Sequence, residues 1–309
     1  MTIRKELSKK LELPELQIVL FCINASKKYR VYSIPKRKVG RRIIAQPTKE
    51  LKKYQRALVE ILQPYLKVHE CAYAYKTGIS IKDNAEQHRR NTYILKMDFQ
   101  NFFNKIKPEL FFSKVDSISI KLSREDRSLL MDILFWKPGS KRSTALVLSV
   151  GAPSSPFISN FIMFDFDKAI FEYCKNIGVT YTRYADDLTF STNKKDILFG
   201  VPVVVKAALS ALASGMIIND SKTVFSSKAH NRHVTGVTIS NEGELSLGRS
   251  KKRYISSLIH KYSLGTLPDS EIDYLKGLLS YAQHIEPMFL TRLKNKYGEK
   301  LINHIRSEA

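Results

Sequence analysis

Cysteine is scarce in this sequence of 309 residues, which contains only three. Cys22, Cys71 and Cys174 are far apart, odd in number and without the spacing of zinc ligands. This pattern argues against a disulfide framework and against a cysteine-based zinc site. It predicts reduced, mostly buried thiols in a protein of the cytoplasm.

Long apolar runs are also missing. The most apolar stretch, residues 197–213, is interrupted by Gly200, Pro202 and Lys206, and it is too short to span a bilayer. The first six residues contain no apolar segment of the kind that a secretory signal needs. We therefore expect neither a signal peptide nor a membrane partner.

Acidic residues are few relative to basic ones. The chain has 51 Lys and Arg against 29 Asp and Glu, so its formal charge is +22 and its pI is about 9.8. Solubility alone calls for a net charge of only about 2–8. The excess therefore favours a polyanionic partner, nucleic acid before membrane, over a merely solubilising surface. The length and a hydrophobic content of 43% suit one multi-lobed catalytic unit or two to three small subdomains.

Residues 184–187 read Tyr-Ala-Asp-Asp. Residues 179–183 before them and 188–191 after them alternate as strands do, which predicts a hairpin with the acidic pair at its tip. Two adjacent carboxylates on a rigid hairpin repel each other unless water or a cation lies between them, and Mg²⁺ takes oxygen ligands. On its own, such a pair is more often a solvated turn.

A third carboxylate, Asp98, changes that balance. Residues 93–97 form another strand-like run, which ends at Asp98 and is followed by Phe-Gln-Asn-Phe-Phe. A strand that ends in Asp beside a hairpin that carries Asp186 and Asp187 can bring three carboxylates together. Such a group can hold two metal ions about 3.5–4 Å apart, one activating an attacking hydroxyl and the other steadying a leaving pyrophosphate.

Asp98 with its phenylalanines, the segment Gly-Ala-Pro-Ser-Ser-Pro at 151–156 and the Tyr-Ala-Asp-Asp box follow one another in the order and spacing of reverse transcriptases, which this sequence resembles. Two further segments resemble elements of bacterial retron reverse transcriptases: residues 84–88 match their Asn-Ala-x-x-His, and residues 234–236 match their Val-Thr-Gly. Residues 42–47 resemble the fingers segment of the family.

The resemblance implies an α+β, right-hand polymerase fold with fingers, a palm of antiparallel sheet backed by helices, and a short helical thumb. Residues 1–92 and 105–149 would form the fingers, residues 93–104 and 150–243 the palm, and residues 244–309 an RNA-binding thumb.

It also implies the roles of the carboxylates. Asp98 and Asp186 would bridge two Mg²⁺ ions, and the Phe99 carbonyl would bind the second ion. Asp187 would be an outer carboxylate of the same metal-binding, catalytic group.

Several positions are assigned by resemblance to the incoming nucleotide. Phe103 would exclude a 2′-hydroxyl by its bulk, unless it is a plain core ring. Gly151 lacks Cβ, which would let the nucleotide or the template approach the backbone. Lys222 resembles the lysine that protonates the leaving pyrophosphate, although a lysine near phosphates is often only electrostatic.

Arg42, with Lys36, Lys38 and Arg41 nearby, would clamp the triphosphate, or contact the template backbone, or lie in a solvated loop. The sequence does not decide among these three.

The sequence departs from the family at two positions near the nucleotide. Asn101 stands where relatives often have Asp, and Val150 stands where they usually have Gln. Asn101 is kept among the nucleotide-binding positions. Because Val150 cannot hydrogen-bond the nucleotide, polar contacts must come from elsewhere or be weaker. The sequence does not decide how these two departures affect nucleotide affinity and fidelity.

The retron-like elements and the start of the thumb are assigned to RNA. His88 is either an RNA contact or a structural element, and the Thr-Gly pair could be a mere strand bend. The RNA-binding assignments are Asn84, His88, Val234, Thr235, Gly236, Lys251, Lys252 and Arg253.

The function implied is that of an RNA-directed DNA polymerase. It would copy part of a cognate non-coding RNA into multicopy single-stranded DNA, primed from an RNA 2′-hydroxyl, within a retron anti-phage defence system. Partners would be that RNA and its DNA product, dNTPs, an effector protein encoded nearby and host RNase H, since no RNase H segment follows in this sequence. The alternatives are another bacterial reverse transcriptase, of group II intron or diversity-generating type, and an RNA-binding scaffold for an effector.

Overall fold

The computed structural model describes residues 2–35, 40–118, 120–139 and 145–307. Within these ranges the chain folds into α-helices and antiparallel sheets, which confirms the predicted α+β class. None of the helices in these ranges combines the length and the apolar content needed to cross a bilayer. The three cysteines are buried and unpaired, as predicted.

Fourteen α-helices lie in the described ranges. They are α1 (Ile3–Leu11), α2 (Glu15–Cys22), α3 (Lys49–Leu62), α4 (Ile81–Glu86), α5 (Phe102–Lys105), α6 (Pro108–Ser117), α7 (Arg124–Leu134), α8 (Ser155–Ile162), α9 (Phe164–Ile177), α10 (Val201–Leu212), α11 (Arg249–Ser263), α12 (Asp269–Ile285), α13 (Pro287–Tyr297) and α14 (Glu299–Ser307).

Nine β-strands lie in the same ranges. They are β1 (Tyr29–Pro35), β2 (Arg41–Pro47), β3 (Tyr93–Asp98), β4 (Thr180–Tyr184), β5 (Asp187–Thr192), β6 (Val224–Ser226), β7 (Arg232–Val234), β8 (Val237–Ile239) and β9 (Leu245–Ser246). They form a β1–β2 hairpin, a four-stranded sheet in the order β4-β5-β3-β6, and a three-stranded sheet in the order β7-β8-β9. All pairings are antiparallel.

Local capping defines the start of two helices that flank the sheets. The Thr48 hydroxyl accepts a hydrogen bond from the Leu51 amide, 3.3 Å away, at the start of α3. At the start of α4, the Ser80 hydroxyl accepts from the Asp83 amide while the Asp83 carboxylate accepts from the Ser80 amide. This reciprocal pair satisfies two of the amides that a helix start leaves without partners.

Two hydrophobic cores meet at β3. The larger core lies between β3, β5 and helices α1–α3 and α6–α10, and the smaller one lies between the three-stranded sheet, α4 and helices α11–α14. Leu95 and Met97 of β3 belong to the larger core, and Ile94 belongs to the smaller one. Because alternate strand residues point to opposite faces, Asp98 shares the face of Ile94 and points away from the larger core.

Candidate active site

The antiparallel pairing of β3 with β5 places two of the predicted catalytic carboxylates opposite each other. In this register Asp98 is the partner of Asp187, and Lys96 is the partner of Thr189. These four residues line one cavity of about 460 Å³ at the end of the sheet. The sequence prediction of a strand ending in Asp98 beside an acidic hairpin is confirmed as geometry.

Asp186 lies in the two-residue turn between β4 and β5, since Tyr184 and Asp187 are paired. The other turn residue, Ala185, has a φ of 56°, a left-handed conformation that is uncommon for a residue with a side chain. The Asp186 carbonyl accepts a hydrogen bond from the Phe99 amide, 3.0 Å away. The hairpin tip is therefore bonded to the residue that follows Asp98, and the backbones of the three aspartates lie close together.

Burial, and then repulsion between neighbouring charges, raises the pKa of both hairpin carboxylates. Loss of water around Asp187 raises its pKa to about 7, and the charges of Asp186 and Asp98 add to the rise. Burial, and then the charge of Asp98, raises the pKa of Asp186 as well. Lys222 and Arg42 act in the opposite direction on Asp186 but do not cancel the rise. The group thus carries more negative charge than its protein surroundings balance.

The three carboxylates are the kind of ligand that Mg²⁺ prefers, and a bound Mg²⁺ would relieve the repulsion among them. In the described part of the chain, however, no three His, Cys, Asp or Glu side chains stand together in a way that would hold a metal ion. The ammonium of Lys222 already lies 2.7 Å from Asp98 Oδ1. We therefore expect the carboxylates to turn toward each other, and Lys222 to leave Asp98, when metal binds.

The structure places Lys222 at the site, and Arg42 acts on it only through its charge. Lys222 ends a short 3-10 turn at Asp220–Lys222 and lines the same cavity as Asp98 and Asp187. Arg42 is exposed on β2, and its charge reaches Asp186. Of the other predicted clamp residues, Arg41 donates to Ser33 at 2.7 and 3.0 Å, whereas Lys36 and Lys38 lie outside the described residues.

A neighbouring cavity of about 340 Å³ contains Phe103, Val150 and Gly151. Phe103 is half-buried and lines this cavity, whereas the adjacent Phe102 is buried and stacks on Phe99 with ring centroids 5.2 Å apart. Phe102 is thus the core ring of the pair, and the position of Phe103 suits the predicted gate.

Gly151 has a backbone conformation that favours glycine. Its φ is 119°, and a Cβ at this position would lie 3.5 Å from the Ala45 carbonyl oxygen and 3.5 Å from Ile44. The positive φ is a reason for glycine at this position, and the approach of a nucleotide or template to its backbone stays a prediction.

Asn101 does not line the cavity of Phe103. It precedes α5 in the left-handed conformation, with a φ of 52°, which Asn tolerates better than most residues. Its nucleotide contact remains a prediction.

Sequence reasoning missed Tyr75, Lys52 and Arg56, which also line the cavity of Phe103. Tyr75 has a φ of 64°, an outlier for a bulky residue, and the charge of Asp186 contributes to raising its pKa after burial. Nothing in the sequence marks these three residues, because the long-range packing of residues 52–75 against residues 149–156 brings them here.

Sequence reasoning also missed a buried ion pair that holds the hairpin. Arg183 and Asp167 are both fully buried, and the guanidinium donates two hydrogen bonds to the carboxylate, at 2.8 and 2.6 Å. The same guanidinium donates to Asn160 Oδ1 at 3.0 Å and to the Ala185 carbonyl at 3.1 Å. Through Ala185 it therefore supports the turn that carries Asp186. The sequence contains one sign of this pair, a charged residue, Arg183, within the strand directly before the Tyr-Ala-Asp-Asp box.

Three RNA-binding predictions are wrong as direct contacts, because Asn84, His88 and Val234 are fully buried. His88 bonds Ser191 Oγ through Nδ1 and Thr182 Oγ1 through Nε2, both at 2.7 Å. Its whole hydrogen-bonding capacity is thus used inside the protein. The structural alternative for His88 fits this geometry.

The predicted Thr-Gly bend is a tight hairpin turn between β7 and β8. Thr235 and Gly236 both have positive φ, 47° and 82°, and both line the cavity of the aspartates. Such a conformation is strained for a β-branched residue. The Thr235 hydroxyl donates to the Ile81 carbonyl at 3.2 Å, and Asn84 Nδ2 approaches it at 3.5 Å. These two turn residues stay accessible to RNA.

The three thumb cations differ in their surroundings. Lys252 Nζ lies 2.7 Å from Glu286 Oε1, an oxygen that Arg292 also contacts at 2.6 Å, so Lys252 is held within the thumb. Lys251 Nζ lies 4.4 Å from the ring centre of Tyr281. Arg253 is exposed on α11. Of the three, Arg253 suits the predicted RNA contact best, and Lys252 suits it least.

Known proteins with similar sequences belong to the class that this site predicts. The family model described as reverse transcriptase (RNA-dependent DNA polymerase) matches residues 34–239. The chain is 50% identical to the Retron Ec83 reverse transcriptase of Escherichia coli over 279 residues, 90% of this chain and 89% of that protein. It is 29% identical to the Retron Ec86 reverse transcriptase of Escherichia coli over 320 residues, 98% of this chain and 92% of that protein.

Among solved structures, that of apo telomerase from Candida tropicalis aligns with a TM-score of 0.50 at 12% identity, covering 90% of this chain and 62% of the telomerase. At this identity the likeness concerns the fold alone. Together with the family match, it confirms the predicted right-hand polymerase fold.

We predict that replacing Arg183 with Met destabilises the protein by about 3–5 kcal/mol, because the Asp167 carboxylate is then buried without its partner. Urea unfolding measures the loss. The double variant Arg183→Met with Asp167→Leu removes both charges and should recover part of it. A single variant as stable as the unmodified chain would contradict a supporting role for the pair.

We predict a stability change with pH that originates at His88. Burial lowers the pKa of His88 from 6.5 to about 3, so below pH 6.5 the unfolded chain takes up a proton that the folded chain does not. The contribution of His88 to stability is complete above pH 6.5 and falls as the pH drops toward 3, by about 1.4 kcal/mol per pH unit.

Urea unfolding at about pH 7.5 and about pH 5.5 tests this. In His88→Gln the difference in unfolding free energy between the two pH values should shrink by about 1.4 kcal/mol. The matched control replaces the exposed His260 with Gln. An unchanged pH difference in His88→Gln would show that the histidine is not held neutral.

Proposed function

Because this chain belongs to the reverse transcriptase family, among the bacterial retron enzymes, we propose that it copies part of a cognate structured non-coding RNA into multicopy single-stranded DNA. It is an RNA-directed DNA polymerase. The observation that supports the proposal most is the cavity at the end of the four-stranded sheet. There the paired residues Asp98 and Asp187, the cation Lys222 and the Thr235–Gly236 turn share one space.

In the proposed mechanism Asp98 and Asp186 would hold two Mg²⁺ ions, with the Phe99 carbonyl as a further oxygen ligand and Asp187 as an outer carboxylate. When bound, the ions would supply charge stabilisation for the attacking hydroxyl and for the leaving pyrophosphate. Lys222 lies 2.7 Å from Asp98. Once Lys222 leaves that carboxylate, it would be near enough to give a proton to the departing pyrophosphate.

The nucleotide is proposed to lie between the aspartates and the cavity of Phe103. Phe103 would exclude the 2′-hydroxyl of ribonucleotides by its bulk. Arg42 would contact the triphosphate from β2, since its charge already reaches Asp186. Val150 lines the same cavity with an apolar side chain, so polar contacts to the nucleotide would come from other residues there.

We propose the domain limits on the same basis. The β1–β2 hairpin and α3 lie in the proposed fingers, the four-stranded sheet lies in the palm, and α11–α14 form the thumb. Strand β9 lies beyond the predicted palm limit of residue 243 but pairs with β8. We therefore move the start of the thumb to Gly248, which precedes α11.

The wider role is also a proposal. The RNA, its DNA product, dNTPs, host RNase H and an effector protein encoded nearby would be the partners in a cytoplasmic anti-phage defence system. The 50% identity to a retron enzyme over 90% of the chain favours this role over a group II intron or diversity-generating enzyme. A scaffold without polymerase activity is disfavoured, because all three carboxylates are present and adjacent.

Priming from a 2′-hydroxyl tests the retron assignment. The purified protein with its cognate RNA, dNTPs and Mg²⁺ should give a branched RNA–DNA product. A 2′,5′-specific debranching enzyme should then release the DNA 5′ end. Asp186→Asn should abolish synthesis while RNA binding persists, whereas the exposed control Asp273→Asn should synthesise normally. A 3′–5′ junction would overturn the retron-type priming and leave the polymerase activity in place.

We predict that Phe103→Ala admits ribonucleotides, because it removes the ring that clashes with the 2′-hydroxyl. The measurement is the ratio of rNTP to dNTP incorporation in primer extension, with Phe112→Ala as the control for loss of a half-buried ring outside the cavity. If the ratio stays the same while activity is retained, another residue selects the sugar.

A further inference from the structure

A separate cavity of about 210 Å³ lies at the opposite end of the four-stranded sheet from the aspartates. Its lining includes Tyr93, the first residue of β3, whereas Asp98 ends that strand. Five residues of strand at about 3.3 Å each separate the two ends by roughly 17 Å. The two cavities share no lining residue.

Two phenylalanine rings at this cavity face solvent. Phe199 is 63% exposed and Phe225 is 41% exposed, and their ring centroids lie 5.0 Å apart with planes inclined by 43°. A single exposed apolar side chain needs no explanation, but two adjoining aromatic rings at the mouth of a cavity mark a binding surface. A π-face open to solvent is what a nucleobase stacks on.

Basic residues surround these rings. Lys194, Lys195 and His230 line the cavity, and Asp196 is the acidic residue of the lining. Lys194 Nζ donates to the Ile177 carbonyl at 3.1 Å, which holds it in place, and Lys195 is exposed beside it.

The basic surface continues past the loop that carries His230. Lys228 of that loop, together with Arg89 and Arg90, lines an adjoining cavity of about 230 Å³. This second cavity also contains Glu242 and Glu244. Arg89 pairs with Glu86 at 2.9 Å, so the exposed Arg90 and Lys228 are better placed for phosphates.

We propose that this surface binds single-stranded nucleic acid, with bases stacked on Phe199 and Phe225 and phosphates running along Lys195, His230, Lys228 and Arg90. Stacking on aromatic rings combined with a cationic track is the general way in which proteins hold single strands without reading their sequence. The cations beside the rings, in a chain of net charge +22, favour a nucleic acid over an apolar protein partner. The site goes beyond the proposed function, since it needs no contact with the polymerase cavity.

Photo-crosslinking tests the proposal without requiring DNA synthesis. The probes are 20-nucleotide homopolymers, one of DNA that carries 4-thiothymidine and one of RNA that carries 4-thiouridine, and crosslinked peptides are mapped by mass spectrometry. We expect crosslinks in the peptides that contain Phe199 and Phe225. Crosslinks with the DNA probe alone identify the product strand as the ligand class, and crosslinks with the RNA probe alone identify the template RNA.

Matched variants separate stacking from charge. Phe199→Ala and Phe225→Ala should each weaken binding at this surface, so that the probe concentration giving half-maximal crosslinking rises by about 5- to 100-fold. Lys195→Ala combined with Lys228→Ala should reduce the slope of log affinity against log salt by about 1.4, or about 0.7 per lost phosphate contact on a single strand. The controls are Val203→Ala, at an exposed apolar residue outside the cavity, and Lys5→Ala on α1.

Primer extension on a short annealed template should remain unchanged in all these variants, because the polymerase cavity is not altered. A failure of this site is thereby distinguished from a failure of the proposed polymerase mechanism. The proposal is overturned if neither probe crosslinks to these peptides, or if both phenylalanine variants crosslink as the unmodified chain does. Self-association that Phe199→Ala abolishes, without crosslinks, would also overturn it in favour of a protein interface.

Discussion

The antiparallel register of β3 with β5 is the constraint on which the catalytic end of the molecule depends. A slip of one residue would turn every side chain of the strand to the opposite face, so that Asp98 would point into the larger core instead of toward Asp187. The apolar residues on the opposite face of β3 hold this register. The position of Asp186 depends on a second interaction, the buried ion pair of Arg183 and Asp167. Arg183 of this pair donates a hydrogen bond to the carbonyl of Ala185, the residue before Asp186. The strand pairing and the buried Arg183–Asp167 ion pair together position three carboxylates that repel one another.

The two retron-like elements meet on the face of the sheet that carries the aspartates, and they join it to the thumb. His88 is bonded to β4 and β5, and the Thr235 hydroxyl is bonded to the start of α4. On the other side, the Tyr281 hydroxyl of α12 approaches the Gly236 carbonyl at 3.5 Å. The buried members of these elements therefore act on architecture, and only the strained turn at their meeting point is open to an RNA. The strain at Thr235 is stored beside the proposed catalytic group, where such strain is often found.

Much of the candidate site could be predicted from the sequence because its signals are local. A strand that ends in Asp98 and a hairpin that carries Asp186 and Asp187 each show in the alternation of neighbouring residues, and the charge of the chain indicates its class of partner. The contacts assigned to His88 could not be predicted correctly, because a short motif carries no information about whether its side chains reach solvent. Likewise, the preference for glycine at position 151 follows from its φ of 119°, which the local sequence does not show.

By itself the sequence determined three strands of the four-stranded sheet (β3, β4 and β5), the acidic hairpin, the buried unpaired cysteines and the family, since each depends on composition or on the order of nearby residues. The tertiary structure alone decided which charges are paired and which are free. Arg183 pairs with Asp167, sixteen residues before it. Lys222 pairs with Asp98, and Lys252 pairs with Glu286. It also decided that Phe199 and Phe225 adjoin at the surface. Burial and charge pairing depend on contacts between distant segments, and these contacts form only when the chain packs around its two cores.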